Sequence, residues 1–291
     1  MVTLTRADGN WAGDLDLSRR SIAMALAGGY AVAAFSAEAA PITTDGEGLV
    51  QSQVEVDAGD RKIPAFIARP AKSGRFPVIF VNSEVFGVHE WIKDICRRLA
   101  KAGYVAMAPD LFVRAGDPSK LTDLAAVMKI VQATPEAQVT SDTRASLKYL
   151  AAQPFTDMKR LGVTGFCWGG GATWLCCERF PEFKAGVAWY GPLKAGNYPR
   201  TPPIDLVKDL HAPVLGLYGG QDKGIPQADI DAMNAALKAA GKTGSEIVVY
   251  PDAQHGFLAD YRPSYNAEAS ADGWKKMLAF FAKYGVTPAK A

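Results

Sequence analysis

Cys167 stands in Gly165-Phe166-Cys167-Trp168-Gly169-Gly170, after a short apolar run at 161–164 and before a stretch at 172–179 that reads as helix. Strand, tight Gly-x-nucleophile-x-Gly turn and helix together make a nucleophile elbow, with cysteine in the place more often held by serine. The turn forces the nucleophile into a strained backbone conformation. Glycine is needed two residues before and two after, because a Cβ there would collide with neighbouring backbone. This geometry lifts the sulfur above the C-terminal edge of a sheet and turns the first amides of the helix toward an oxygen bound beside it. An ordinary thiol, with a pKa of about 8.5, is only slightly ionised at neutral pH, so a nucleophilic Cys167 needs a base. A buried cysteine in a plain strand-to-helix turn gives the same six residues, and the rest of the chain must decide.

Parallel sheets gather their chemistry at the C-terminal strand ends, and this sorts the three histidines. His211 precedes the strand at 213–218 and falls at the wrong edge. His89 opens a helix soon after a strand and reads as a helix-start surface residue. His255 lies in Asp252-Ala253-Gln254-His255-Gly256-Phe257, just after the strand at 246–250, and is the best base, with Gly256 leaving room beside the ring. The carboxylate to orient it is Asp222, in Gly219-Gly220-Gln221-Asp222, directly after the strand at 213–218. Its alternative role is a helix N-cap, although the next helix starts some residues later. Asp205 and Asp209 precede the strand, and Asp252, close to His255 in sequence, is the fallback. The order Cys, Asp, His is that of α/β-hydrolases. Glu84 ends the segment Asn82-Ser83-Glu84 after the apolar strand at 77–81. Among Phe80, Val85 and Phe86 its carboxyl is expected to be poorly solvated and raised in pKa, as a proton acceptor for the Cys167 thiol or as a loop glutamate.

The elements that carry these residues alternate. Strands are expected at 50–56, 63–68, 77–81, 104–108, 161–164, 185–189, 213–218 and 246–250, and helices at 89–102, 121–131, 136–152, 169–179, 228–240 and 264–284. The first two strands form a hairpin or meander; the later ones are separated by helices. This predicts a single-domain α/β-hydrolase architecture, a mostly parallel sheet of about eight strands with helices on both faces. The segment Tyr198-Pro199-Arg200-Thr201-Pro202-Pro203 reads as a surface loop or lid edge.

With 291 residues, the chain suits one domain plus a leader. A net charge of +2 without a long basic run gives no support for nucleic-acid binding. The four cysteines, Cys96, Cys167, Cys176 and Cys177, show neither metal spacing nor a disulfide framework. Ser18-Arg19-Arg20-Ser21 opens an apolar run to Phe35, followed by Ala37-Glu38-Ala39 at cleavage-site spacing. Residues 1–40 therefore read as a twin-arginine export signal to the periplasm and 41–291 as the domain. The run is too short and Gly-interrupted for a stable membrane span.

Glu84-Val85-Phe86-Gly87-Val88-His89, Ala108-Pro109-Asp110-Leu111, the cysteine elbow, Gly219-Gly220-Gln221-Asp222 and His255-Gly256-Phe257 together resemble the dienelactone hydrolase (carboxymethylenebutenolidase) family from about residue 48 onward. The resemblance implies a Cys167–His255–Asp222 triad, a Glu84 that holds the resting thiol and takes its proton, and an oxyanion hole of the Val85 and Trp168 amides. It implies no metal and no cofactor. It also implies an arginine for the substrate carboxylate four residues after the histidine, where this chain has Ala259; Arg262 is the nearby candidate. The expected activity is hydrolysis of a small-molecule ester or lactone through a covalent thioester, by a monomer or homodimer. The alternatives are a broad esterase or thioesterase on the same site, a thiol-redox protein in which Cys176 or Cys177 resolves a Cys167 sulfenic acid, or a binding protein on the same scaffold.

Overall fold

The computed structural model describes residues 41–196 and 198–288, together with two three-residue strands, Val2–Leu4 and Leu15–Leu17, that pair antiparallel with each other. The expected export signal at 1–40 otherwise lies outside the described residues. Eight strands form one sheet: β1 (Leu49–Asp57), β2 (Lys62–Pro70), β3 (Phe76–Asn82), β4 (Val105–Pro109), β5 (Thr156–Phe166), β6 (Ala185–Trp189), β7 (Val214–Gly219) and β8 (Glu246–Tyr250). Their order across the sheet is β8-β7-β6-β5-β3-β4-β2-β1. Only β2 runs against its neighbours; the pairs from β4 through β8 are parallel. The helices are α1 (Glu90–Lys101), α2 (Leu124–Gln132), α3 (Glu136–Ala151), α4 (Trp168–Arg179), α5 (Gln227–Ala239) and α6 (Ala267–Lys283).

The alternation read from sequence is thus the alternation observed, and its cause is visible in burial. Every residue of β3, β4, β6 and β7 is buried, as parallel strands covered on both faces must be. Neighbouring side chains on a strand point to opposite faces. On β5, Gly162 lies under Phe281 of α6, whereas Gly165 lies under Gly169 of α4. On β6, Gly186 meets Cys177 of α4, and Trp189 reaches Gly273 of α6. α4 and α6 therefore clothe opposite faces. α1 joins α6 through Trp91 against Phe166, and α3 joins α4 through Arg144 over Phe180.

The largest shift of a boundary from the sequence reading lies at the start of β5. β5 begins at Thr156, five residues before the apolar run. The polar stretch Asp157-Met158-Lys159-Arg160 hides this start: Phe76 and Pro77 pair with Thr156 and Asp157, and the register then jumps so that Val78 pairs with Leu161. Among the described residues no helix is long and apolar enough to cross a membrane.

Candidate active site

The turn between β5 and α4 carries Cys167 as the N-cap of the helix, with φ 55° and ψ −119°. A non-glycine residue there is strained, and the surroundings hold it: its amide donates to the Trp189 carbonyl at 3.1 Å, and its carbonyl accepts from Gly170 at 2.9 Å. The glycines are steric necessities. A Cβ on Gly165 would lie 2.2 Å from the Gly169 carbonyl oxygen, one on Gly169 2.3 Å from that of Asn82, and one on Gly170 2.4 Å from that of Trp189.

Asp222 follows β7 and His255 follows β8, so both stand at the edge where β5 delivers Cys167. The His255 Nδ1–H donates to Asp222 Oδ2 at 2.7 Å, and Asp222 Oδ1 accepts the Gly224 amide at 2.8 Å, which fixes the carboxylate plane. Asp222 is not a helix cap, since α5 is capped at Pro226. Asp252, the fallback, is exposed, and His211 lies at the opposite edge of the sheet. The His255 ring lies near enough to the Cys167 thiol for its charge to act on the sulfur. Burial alone would push that thiol up; the His255 charge outweighs it and brings Cys167 below its ordinary value. Burial alone would pull His255 down; the Cys167 charge and Asp222 outweigh it and push the imidazole to about 10. Both directions favour a thiolate–imidazolium pair.

The loop after β3 crosses the start of α4, since Asn82 and Ser83 carbonyls fill the space beside Gly169. This brings Val85 and Trp168 into one packed cluster. Trp168 is the first helical residue, so its N–H has no carbonyl four residues back. Among the described residues, the Val85 amide makes no turn or loop bond to a carbonyl.

Glu84 is fully buried, but its pKa runs against the sequence expectation. Arg262 Nη2 donates to its Oε1 at 2.7 Å, the Tyr261 hydroxyl donates to its Oε2 at 2.5 Å, and His89 Nε2 lies 3.2 Å from the same oxygen. Burial would raise the carboxyl; the Arg262 cation, with His89 and Tyr261, outweighs it and holds Glu84 at about 2. His89 is likewise not a surface residue: it is buried, 3 % exposed, and Tyr261 and Trp91 pack on it. Arg262 reaches this cluster because two turn bonds, Ala259 N–H to the Gly256 carbonyl and Arg262 N–H to the Ala259 carbonyl, fold the loop back. Gly256, at φ 77°, sits where a Cβ would come 3.0 Å from Arg262 Nη1. Ala259 is itself buried in the core.

Two further residues at this edge escape a sequence reading. Tyr190 directly follows β6 with φ 38°, and its ring packs against His255 and Phe257. Its position at a C-terminal strand end was the available signal. Tyr261 holds Glu84 from 177 residues away, a juxtaposition that no local pattern announces. Cys176 and Cys177 are buried, and burial pushes both thiols up, Cys176 to about 12.

The sequence model of the dienelactone hydrolase family matches residues 63–285. The chain belongs to the dienelactone hydrolase family. A candidate carboxymethylenebutenolidase of Methylorubrum extorquens is 51% identical over 280 residues, covering 94% of this chain and 96% of that one. Another, of Escherichia coli K12, is 45% identical, covering 88% and 96%. The crystal structure of a candidate dienelactone hydrolase of Klebsiella pneumoniae is 46% identical, superposes with a TM-score of 0.76, and covers 81% of this chain and 99% of its own. Dienelactone hydrolase family membership makes the chain a lactone or ester hydrolase.

Proposed function

We propose that this hydrolase cleaves small carboxylic esters or lactones, of the dienelactone kind, through a thioester on Cys167. The single observation that carries the reading is the 2.7 Å hydrogen bond between His255 and Asp222, which sets the imidazole beside Cys167 on its strained elbow. The thiol proton resides on His255, and the thiolate attacks the substrate carbonyl carbon. The tetrahedral oxyanion accepts hydrogen bonds from the Val85 and Trp168 amides; one such donor is typically worth on the order of 10²–10³ in rate. As the C–O bond breaks, His255 gives its proton to the leaving alkoxide, which in a lactone stays attached to the acyl group. Neutral His255, oriented by Asp222, then takes a proton from water, hydroxide adds to the thioester, and the thiolate leaves. Each step is acid–base work by one imidazole.

Glu84 has a different role in this reading from the one the family resemblance implied. At a pKa of about 2, with both oxygens engaged, it is a poor proton acceptor. It acts instead as the anion that orders Arg262, Tyr261 and His89 beneath the substrate. Arg262, balanced by Glu84, keeps the position proposed for a substrate contact, with its guanidinium 5.2 Å from the Phe86 ring centre.

The test is a panel of cis- and trans-dienelactone, p-nitrophenyl acetate and an acyl thioester. Dienelactone turnover supports the family substrate. Turnover of the neutral esters alone moves the substrate to a broad esterase class. No turnover of any member contradicts the reading.

A further inference from the structure

The loop at 256–266 brings Tyr261 and Arg262 to Glu84, yet it is irregular backbone, closed where the Asn266 amide donates to the Phe257 carbonyl at 2.9 Å. Irregular segments open more readily than sheet or helix. A loop that must hold two side chains on a buried carboxylate therefore needs a tether. Asp260, the residue before Tyr261, supplies one. It is buried, 4 % exposed. Arg98 Nη2 of α1 donates to its Oδ2 at 2.6 Å, and the Ile42 amide donates to its Oδ1 at 3.3 Å.

The tether is part of a larger clamp. Arg98 Nε donates to Asp94 Oδ2 at 2.6 Å, so one guanidinium joins a carboxylate of α1 to a carboxylate of the loop. Asp94 is also buried. It accepts Arg97 Nη2 at 3.0 Å, the Thr44 amide at 2.7 Å and the Thr44 hydroxyl at 3.2 Å. Arg98 Nη2 donates again to the Ile42 carbonyl at 3.3 Å. Lys101 holds the other end of this segment, through Asp45 Oδ1 at 2.6 Å and the Glu47 carbonyl at 2.8 Å. The chain at 42–47 is thus strapped to α1, and residue 42 touches both members of the Arg98–Asp260 pair.

α1 reaches the same cluster from its other end. Its N-cap, His89, lies 3.2 Å from Glu84 Oε2, and the Tyr261 ring centre is 5.4 Å from that of His89 and 5.7 Å from that of Trp91. Arg98 stands in the last turn. The loop is therefore pinned to both ends of one helix, by ring packing near Glu84 and by an ion pair at the far end. Buried charges are tolerated when paired, and this pair joins two elements that each deliver a partner to Glu84.

We propose that Asp260 is a positioning residue for the reaction: bound by Arg98 and by the strap at 42–47, it holds Tyr261 and Arg262 against Glu84 and so sets the charge around Cys167. The Arg262 charge favours the Cys167 thiolate and that of Glu84 opposes it. A loosened loop withdraws the favourable charge and exposes the unfavourable one. The inference rests on the hydrolase reading for its effect on turnover, whereas its effect on the thiol stands without a substrate.

The experiment compares the wild type with Asp260→Asn and Arg98→Lys. Asp260→Asn removes the loop charge and leaves Arg98 its Asp94 partner; Arg98→Lys keeps a cation without the fork and serves if the first variant does not fold. Two quantities are read: the pH midpoint of Cys167 alkylation by iodoacetamide, and kcat/KM on p-nitrophenyl acetate. In Asp260→Asn the midpoint is expected to rise by about one pH unit and kcat/KM to fall about 10-fold or more. Arg98→Lys should move both the same way by less. Tyr104→Phe, which loses a 3.1 Å hydrogen bond to the Val286 carbonyl at the opposite edge of the sheet, should lower Tm and leave the midpoint in place. A midpoint unmoved in both variants overturns the positioning role, even where Tm and turnover fall, and leaves the hydrolase standing. A raised midpoint in a protein that cleaves no ester supports the positioning role, and the hydrolase reading then fails alone.

Discussion

Cys167→Ala is expected to lose at least about 10⁴-fold in kcat on any substrate the wild type cleaves, with its thermal transition within a few degrees of the parent. The asymmetry follows from position. The side chain is buried, 8 % exposed, but truncation removes only a single sulfur atom and so little buried area. Chemically it removes the only atom of the elbow that can form the acyl intermediate. The backbone strain at φ 55° belongs to the turn, and alanine inherits it. Steady-state kinetics and a melting curve on the same sample check both halves. Residual turnover within about 10-fold of wild type would remove Cys167 from the mechanism.

The second large effect is on stability. Glu84→Gln leaves the Arg262 cation buried without its anion, a change that costs about 3–5 kcal/mol and so lowers Tm by roughly 10 °C in a domain of this size. The pH dependence provides a separate measure. The folded carboxyl titrates at about 2 against an ordinary 4.5, a depression equivalent to about 3 kcal/mol. A depressed acid stabilises fully above its unfolded pKa and loses that contribution as pH falls. The wild type should therefore lose stability between about pH 4.5 and 2, and Glu84→Gln should show a flatter slope over the same window. Denaturant titrations at several pH values measure this. The substitution also reports on the thiol. The Glu84 charge opposes ionisation of Cys167 and that of Arg262 favours it, so removing the former should lower the pH midpoint of thiol alkylation. A raised midpoint would return Glu84 to the role of proton acceptor.

The contrast between Cys167 and Glu84 shows what a sequence of this kind makes legible. Cys167, Asp222 and His255 could be read because each sits just after an apolar strand, and parallel topology sends all such ends to one edge. Eight short apolar runs separated by amphipathic ones were enough for the sheet. Glu84 could be placed by the same rule, but its electrostatics could not. The groups that set its pKa are His89, five residues away, and Tyr261 and Arg262, 177 and 178 away. Burial alone predicts a raised pKa, and only the assembled cation reverses the sign. His89 was misjudged for a related reason: an N-cap position is usually exposed, and here Trp91, Phe86 and Tyr261 close over it. Arg200 lay in a Pro-rich segment that reads as surface loop, and nothing local indicates that its guanidinium packs against Gly171.

The proposed mechanism requires that His255 keep Cys167 ionised in the resting enzyme. Its most direct test is the rate of Cys167 alkylation by iodoacetamide across pH, read by mass spectrometry of the elbow peptide, in the wild type and in His255→Ala. The expected wild-type midpoint lies below the ordinary thiol value of about 8.5, and it rises once the imidazole is gone. A midpoint at or above the ordinary value that His255→Ala leaves in place would overturn the mechanism.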